Sequence, residues 1–158
     1  MSKVAADAAG RCPVITNRKA FFKYEVLEQH ECGIVLRGPE VKSFRMGRVS
    51  LDEAYARFKD GELWLLKMHV DEYRDTGHLK LDPIRPRKLL LHKHQIASLA
   101  EAVERKGLTL VPIKITWNER GIAKVVVGLV RGKKLHDKRQ ADKAKSAKRE
   151  VDRAMRRR

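Results

Sequence analysis

The chain has 158 residues, enough for one domain with an appendage but not for two full domains. Its formal net charge is +16, from 36 Lys and Arg against 20 Asp and Glu. This excess predicts a polyanionic partner, either nucleic acid or an anionic membrane surface. The two cysteines belong to no CxxC or Cys/His ligand pattern, and Walker A, HExxH and GxSxG motifs are missing. We therefore expect a protein without a cofactor or bound metal that is not an enzyme.

The first part of the chain combines an irregular leader with a strand and a short helix. Residues 1–16 are small and aperiodic and are predicted to be disordered, with no apolar run typical of a signal peptide. Residues 24–27 and 33–36 read as the two ends of one interrupted strand or as a bent strand pair. Pro39 suits the first position of a helix and Gly47 the residue after its end, which predicts a short helix between them.

Two hairpins and a longer helix follow. Asp60 and Gly61 separate the apolar segments 54–58 and 63–70, a strong hairpin signal. Residues 92–106 carry apolar residues at helical spacing before Gly107, and the Val- and Ile-rich runs 108–117 and 122–130 form a second predicted hairpin. The prediction is a mainly β domain over 17–131, a small closed antiparallel OB-type barrel of about six strands with three short helices.

A basic stretch and one carboxylate are candidate nucleic-acid contacts. Residues 71–88 read as a long loop that ends in Arg85, Arg87 and Lys88, whose side chains could engage phosphates. A solvated loop with unpaired charge is the alternative, and spacing leaves both open. Glu31 could accept hydrogen bonds from base amino groups or a 2′-hydroxyl, although a surface charge on a strand is the simpler interpretation.

Several aromatic side chains are weaker candidates. Trp64, Trp117 and Tyr55 could stack on bases, but each lies in an apolar strand, which favours packing in the core. His92 and His94 have no third ligand at a suggestive spacing and read as polar residues at a helix N-terminus rather than as metal ligands.

The tail, residues 132–158, differs in composition from the rest. From residue 131 to the end there are 13 Lys and Arg against four Asp and Glu, and no aromatic residue. Small residues recur at helical spacing, but a lone helix with so narrow an apolar stripe is marginal in water. We expect the tail to be disordered when free and helical against a partner. Its alanine-rich stripe lacks the bulky residues that membrane binding requires, which favours nucleic acid.

Six stretches then appear in a fixed order: NRKAFFKYE (17–25), ECGIVLRGPEVKSFRMGRVSL (31–51), MHV (68–70), DPIRPRKLLLHK (82–93), KGLTLVPIKI (106–115) and GLVRGKKLHDKR (128–139). Together they resemble the small protein B family, the SsrA-binding proteins of bacterial trans-translation, from about residue 17 to 149. The resemblance implies an OB-type barrel that binds the tRNA-like domain of tmRNA and delivers it to ribosomes stalled without a codon in the A site. It also implies a tail that becomes helical in the vacant mRNA channel.

The resemblance assigns roles to two groups of residues. Those expected to bind tmRNA are Asn17, Glu31, Gly33, Arg85, Arg87, Lys88, Leu91, Lys133 and Lys134. Those expected at the decoding centre and in the mRNA channel are Gly132, His136, Asp137, Lys138, Arg139, Lys143 and Arg149. Cys32, where the family usually has alanine, adjoins Glu31 and could alter local packing.

The expected partners are thus tmRNA, small-subunit ribosomal RNA and, indirectly through alanylated tmRNA, elongation factor Tu. A cytoplasmic monomer without a membrane partner is expected. Two alternatives remain. A structural ribosomal protein with a basic extension would co-purify with ribosomes stoichiometrically, and a nuclease or RNA-modifying enzyme on an OB barrel would require clustered carboxylates or a nucleophile–base pair.

Overall fold

A computed structural model describes residues 3–6, 12–73, 81–133 and 155 of the chain. The strands in this part are β1 (Lys3–Ala6), β2 (Pro13–Thr16), β3 (Tyr24–Ile34), β4 (Val49–Ser50), β5 (Tyr55–Lys59), β6 (Glu62–Leu66), β7 (His69–Val70), β8 (Arg87–Leu90), β9 (Thr109–Trp117) and β10 (Ala123–Gly132). The helices are α1 (Arg18–Lys23), α2 (Gly38–Arg45) and α3 (Lys93–Lys106). None of the described helices is long and apolar enough to cross a membrane.

Six antiparallel strands form a closed ring. The order runs β9, β10, β3, β8, β6, β5, and the ring closes where β5 pairs with β9 at Ala56 and Leu110. Closure reduces the strand edge that is open to pairing with another chain, although β8 pairs with β3 only at Gly33 and Ile34. The predicted mainly β fold of six ring strands with three helices is confirmed.

Both hairpins lie where the sequence predicts them. Asp60 (φ 52°) and Gly61 (φ 73°) connect β5 to β6 in a two-residue turn. Positive φ at both central residues matches the right-handed twist of the flanking strands, and aspartate and glycine tolerate that conformation. The second hairpin joins β9 to β10, with Ala123 opposite Trp117.

The helix termini follow the expected chemistry. Pro39 lies in the first turn of α2, and Gly47 (φ 69°) follows its end. Gly107 is left-handed (φ 59°) at the C-cap of α3. The position of α1 was not predicted. Its N-cap is Asn17, whose side chain accepts a hydrogen bond from the backbone N–H of Ala20.

The start of the chain differs from the prediction that residues 1–16 are disordered. Strand β2 pairs with β9, and its Ile15 is fully buried in the main core. Strand β1 pairs in turn with β2. A four-residue strand with one buried side chain gives too short a pattern to recognise in a sequence, and only its packing against β9 defines it.

Two apolar clusters support the ring. The main cluster fills its interior with side chains from the inward positions of the strands and from α2 and α3, among them Phe44, Leu65 and Leu99. A smaller cluster lies beneath α1 and includes Ala20 and Ile113. Helix α1 therefore covers one face of β9 and β10 and the first part of β3, where Tyr24 and Val26 pack against the smaller cluster, whereas the outward side chains of β8, β6, β5 and the end of β3 are not part of either cluster.

A charged group also lies inside the fold. Arg87 is fully buried, and its Nε donates to Glu40 Oε1 at 2.9 Å. Its other nitrogens donate to the backbone carbonyls of Met68 at 2.8 Å, Arg85 at 3.1 Å and Pro83 at 3.1 Å. The buried guanidinium thus joins α2, the β6–β7 connection and the loop before β8.

Glu40 completes this network. It accepts hydrogen bonds from Arg85, with Nε at 2.8 Å, and from the backbone N–H of Arg37 at 2.7 Å. Burial alone raises the pKa of Glu40, but the hydrogen bonds from Arg85 and Arg37 and the charge of Arg87 outweigh it and hold the pKa below its ordinary value. The carboxylate of Glu40 is therefore ionised at neutral pH, where it pairs with Arg85 and Arg87.

We predict that Arg87→Met lowers the free energy of unfolding by about 3 kcal/mol, because it removes one partner of a buried ion pair while preserving bulk. Lys88→Met is the matched control. The side chains of Lys88 and its partner Glu62 are 36% and 40% exposed, so its loss costs at most about 1 kcal/mol. Urea unfolding at pH 7 measures both, and equal losses would contradict a structural role for Arg87.

A second prediction concerns the stability of the fold at low pH. Because the folded pKa of Glu40 lies below its ordinary 4.5, its stabilising contribution is complete above that pH and disappears as the pH falls through the folded value. The stability advantage of the wild type over Glu40→Gln should therefore shrink between pH 7 and pH 3. An advantage that is the same at both pH values would show that ionisation of Glu40 contributes nothing.

Candidate nucleic-acid interface

The candidate site is built on alternating side chains of β3. Cys32 is buried and lies opposite Val125, which is also buried, so both point into the ring. Glu31 and Gly33 flank Cys32 and therefore face outward, because successive side chains of a strand point to opposite sides. Glu31 is exposed, and within the described ranges its carboxylate has no hydrogen-bond or ion-pair partner.

Strand β8 continues this outward surface. Leu90 lies opposite Gly33 and is 49% exposed, an unusual position for a leucine. A Cβ atom at Gly33 would lie only 3.1 Å from Leu90 Cβ. Glycine thus allows Leu90 to lie close over the backbone of β3. On the other side of Gly33, Lys124 of β10 adds a positive charge to the same surface.

Strands β6 and β5 extend it further. Lys88 lies opposite Trp64, which lies opposite Arg57 on β5. Lys88 forms an ion pair with Glu62. We call this surface the outer face. It consists of Glu31, Gly33, Arg57, Glu62, Trp64, Lys88, Leu90 and Lys124. Cations, a free carboxylate, an exposed leucine and an indole are the groups that contact phosphates, base edges and base faces.

The structure separates the three predicted cations of the basic loop. Lys88 is on the outer face. Arg87 points into the ring and is fully buried, so its observed contacts are structural, and the direct contact with RNA that the resemblance implies stays a prediction. Each guanidinium nitrogen of Arg85 has an acceptor, Glu40 for Nε and Nη2 and the carbonyl of Pro86 for Nη1. Glu40 therefore engages both arginines of this loop.

Asn17 also has structural contacts in the free protein, and its predicted RNA contact stays a prediction. Its side chain is 1% exposed. Its amide nitrogen donates to the carbonyls of Leu51 at 2.8 Å and Pro112 at 3.1 Å, while its oxygen caps α1. Both N–H donors of the amide are thus engaged, and the oxygen keeps one free lone pair.

Two other predicted residues lie near the ring but differ in surroundings. Leu91 is half-buried against the main core, so the exposed leucine beside the basic loop is Leu90. Lys133 donates from Nζ to the carbonyl of Phe21 at 3.0 Å, and its backbone N–H donates to the carbonyl of Lys23 at 3.1 Å. These contacts hold the start of the tail against the end of α1.

Most of the predicted tail site lies outside the described residues. Gly132 is the last residue of β10, paired with Tyr24. Lys134, His136, Asp137, Lys138, Arg139, Lys143 and Arg149 are not among the described residues.

The two tryptophans have different surroundings, although the same core position was predicted for both. Trp117 packs against the main core, as predicted, but Trp64 belongs to the outer face. Lys124 and Trp64 were missed as site residues. A single lysine within the Val-rich run 123–130 is a signal for an outward position, and for Trp64 the strict alternation of ELWLL gives the same indication.

The described part of the chain has two further groups that could be reactive, a thiol and a pair of histidines. Burial, followed by the charge of Glu31, raises the pKa of the Cys32 thiol to about 12, so the thiol is protonated at neutral pH. His92 and His94 stack at the start of α3, with ring centroids 5.7 Å apart. Within the described residues no group of three or more His, Cys, Asp or Glu could hold a metal ion.

A closed ring of antiparallel strands with one uncovered, mixed-charge face defines a small β protein with a candidate nucleic-acid interface. The family model described as SmpB protein matches residues 14–157. The chain belongs to this family.

Individual relatives and one solved structure show the same similarity. The SsrA-binding protein of Thermus thermophilus is 51% identical over 140 residues, which cover 89% of this chain and 97% of that protein. Its namesake from Thermosynechococcus vestitus is 52% identical over 143 residues, covering 90% and 93%. A solved structure described as "tmRNA-SmpB: a journey to the center of the bacterial ribosome" is similar with a TM-score of 0.66 and 53% identity, covering 78% of this chain and 87% of that one.

Proposed function

We propose that this protein is an RNA-binding adaptor of trans-translation, not an enzyme. It binds the tRNA-like domain of tmRNA through the outer face and delivers it to the A site of stalled ribosomes, while its tail enters the vacant mRNA channel. Family membership and the similarity to the tmRNA-SmpB structure support tmRNA as the partner. The RNA, once alanylated, would bring elongation factor Tu with it.

The observation that carries the proposal is the free carboxylate of Glu31 on a basic protein. Glu31 lies two residues along β3 from Gly33, the residue between Leu90 and Lys124, and pairs with Val126. An exposed glutamate there adds nothing to the core, and no described side chain neutralises it. A carboxylate accepts hydrogen bonds from exocyclic amino groups and 2′-hydroxyls, which phosphate-binding cations cannot do. Glu31 is thus suited to select a nucleotide, while Lys88 and Lys124 add affinity for the backbone.

The position of the tail supports a division of labour. Gly132 pairs with Tyr24 at one end of β3, whereas Glu31 and Gly33 lie near the other end. Nine residues of extended strand separate Tyr24 from Gly33, which is about 30 Å. The contacts of Lys133 with α1 fix the starting direction of the tail. The outer face can therefore hold tmRNA while the tail reaches a different partner.

We predict that Glu31→Ala weakens binding of the tRNA-like domain roughly tenfold or more, because a charge-assisted hydrogen bond contributes about 1.5–3 kcal/mol. Glu31→Gln, which keeps the shape and one acceptor oxygen, should fall between Ala and wild type. Gel-shift titration measures affinity and thermal melting verifies the fold. Glu28→Ala is the matched control, a second exposed glutamate of β3 that points to the other side. Equal affinity of Glu31→Ala and wild type would make Glu31 a simple surface charge.

The tail prediction uses Ala147→Pro, which leaves the charge unchanged and disfavours a helix by about 3 kcal/mol. This variant should bind tmRNA normally but tag few nascent peptides on ribosomes whose mRNA ends in the P site. Circular dichroism of the free protein should hardly change, because we expect little helix there to lose.

The matched control for that experiment ends the chain after Lys133, which preserves all of β10 and the contact with α1. It should bind tmRNA but not support tagging. Full tagging by Ala147→Pro would mean that the tail acts as a flexible cationic tether. Loss of tmRNA binding by the truncated, folded protein would contradict the division of labour.

A further inference from the structure

The two tryptophans, Trp64 and Trp117, differ in their contacts. The indole N–H of Trp117 donates to the carbonyl of Pro13 at 2.9 Å, and its ring packs on the main core. Trp64 lies outside both core clusters, and its indole has no hydrogen-bond partner within residues 12–73 and 81–133. A large aromatic ring held on a rigid strand without these contacts contributes little to the core, and its position calls for a different explanation.

A groove of about 590 Å³ lies over the indole of Trp64. Phe58, Trp64, Leu66 and Pro86 provide its apolar surface. Its charged lining consists of the cations Arg57 and Lys59 and the carboxylates Asp60 and Glu62. Neither cation forms an ion pair in the described part of the chain, in contrast to Lys88, which is paired with Glu62. The groove therefore combines an aromatic surface with two available positive charges.

Cross-strand geometry brings these groups together. Arg57 lies directly opposite Trp64, so their Cβ atoms are about 5 Å apart. Proteins that bind single-stranded nucleic acid combine aromatic side chains, on which bases stack, with a cationic track for the backbone. A membrane or an acidic peptide would use the charges but would not require the flat indole.

We propose that Trp64 is a stacking platform for an unpaired base of the bound RNA, with Arg57 and Lys59 contacting the flanking phosphates. The inference rests on the proposed function, because it extends the Glu31 region across the outer face to β5. Neighbouring strands are about 4.8 Å apart, so β3 and β5 are separated by roughly 14 Å. Glu31 also lies four residues, about 13 Å, along β3 from Val35, the residue that faces Lys88 and Trp64. A single strand of a few nucleotides covers the combined distance from Glu31 to the groove.

The direct test is fluorescence of Trp64. The chain has two tryptophans, so Trp117→Phe leaves Trp64 as the only indole. Titration with the tRNA-like domain of tmRNA should quench its emission, saturating over the same concentrations as the gel shift, because a base stacked on the ring is a close-range quencher. Trp64→Phe, in which Trp117 remains, is the matched control and should be quenched far less. Binding without quenching of Trp64 overturns the proposal.

Affinity provides a second readout. Trp64→Ala should weaken binding by about fivefold to a hundredfold, whereas Trp64→Phe, which keeps an aromatic face, should stay within a few-fold of wild type. Arg57→Gln and Lys59→Gln should each reduce the log–log salt slope by about 0.7, as expected for one single-strand phosphate contact.

The outcomes separate this inference from the proposed function. Wild-type affinity of Trp64→Ala, with Glu31→Ala still defective, overturns stacking at Trp64 and leaves the proposed function intact. Wild-type RNA affinity together with weaker ribosome binding overturns it in favour of a protein contact in the groove. Failure of the wild type to bind the tRNA-like domain overturns both.

Discussion

A buried carboxylate that two arginines share determines how β8 enters the ring. Glu40 is 3% exposed and Arg87 not at all, so each needs the other to be tolerated inside the protein. The same carboxylate accepts the backbone N–H of Arg37 and so completes the first turn of α2. Helix α2, the loop before β8 and the β6–β7 connection are therefore linked through one ion pair, and the free energy of folding depends on all of them at once.

This constraint reaches the surface through the alternation of side chains along β8. Because Arg87 points inward, Lys88 and Leu90 must point outward, where they join Trp64 and Gly33. A shift of one residue would bury Lys88 and expose the ionic network, so the register is strongly specified. The basic loop contributes to the candidate interface mainly by fixing the orientation of β8, and its arginines are already engaged by Glu40.

The features that were predicted correctly from the sequence depend on residues that are close together in the chain. Asp60–Gly61 and Gly47 act within their own turns, so the hairpin and the end of α2 could be located. The structural contacts of Arg87 and Asn17 could not be predicted, because their partners lie 47 and 95 residues away and no local pattern shows them. For Trp64, the alternation of side chains in β6 indicated that it points outward. The sequence did not show that α1 covers β9 and β10 and leaves β6 uncovered. The family resemblance supplied the expected partner, and it did not distinguish residues that bind RNA from residues that hold the ring.

We propose that the outer face, across β3, β8 and β6, contacts tmRNA, whereas the surface beyond α2 stays exposed to solvent. Hydroxyl-radical footprinting with mass spectrometry on the full chain, with and without the tRNA-like domain, tests it at the level of side chains. We predict strong protection of Trp64, Leu66 and Leu90 and unchanged oxidation of Met46, which is 55% exposed beyond α2. Protection of Met46 with unchanged Trp64 and Leu90 would contradict the account.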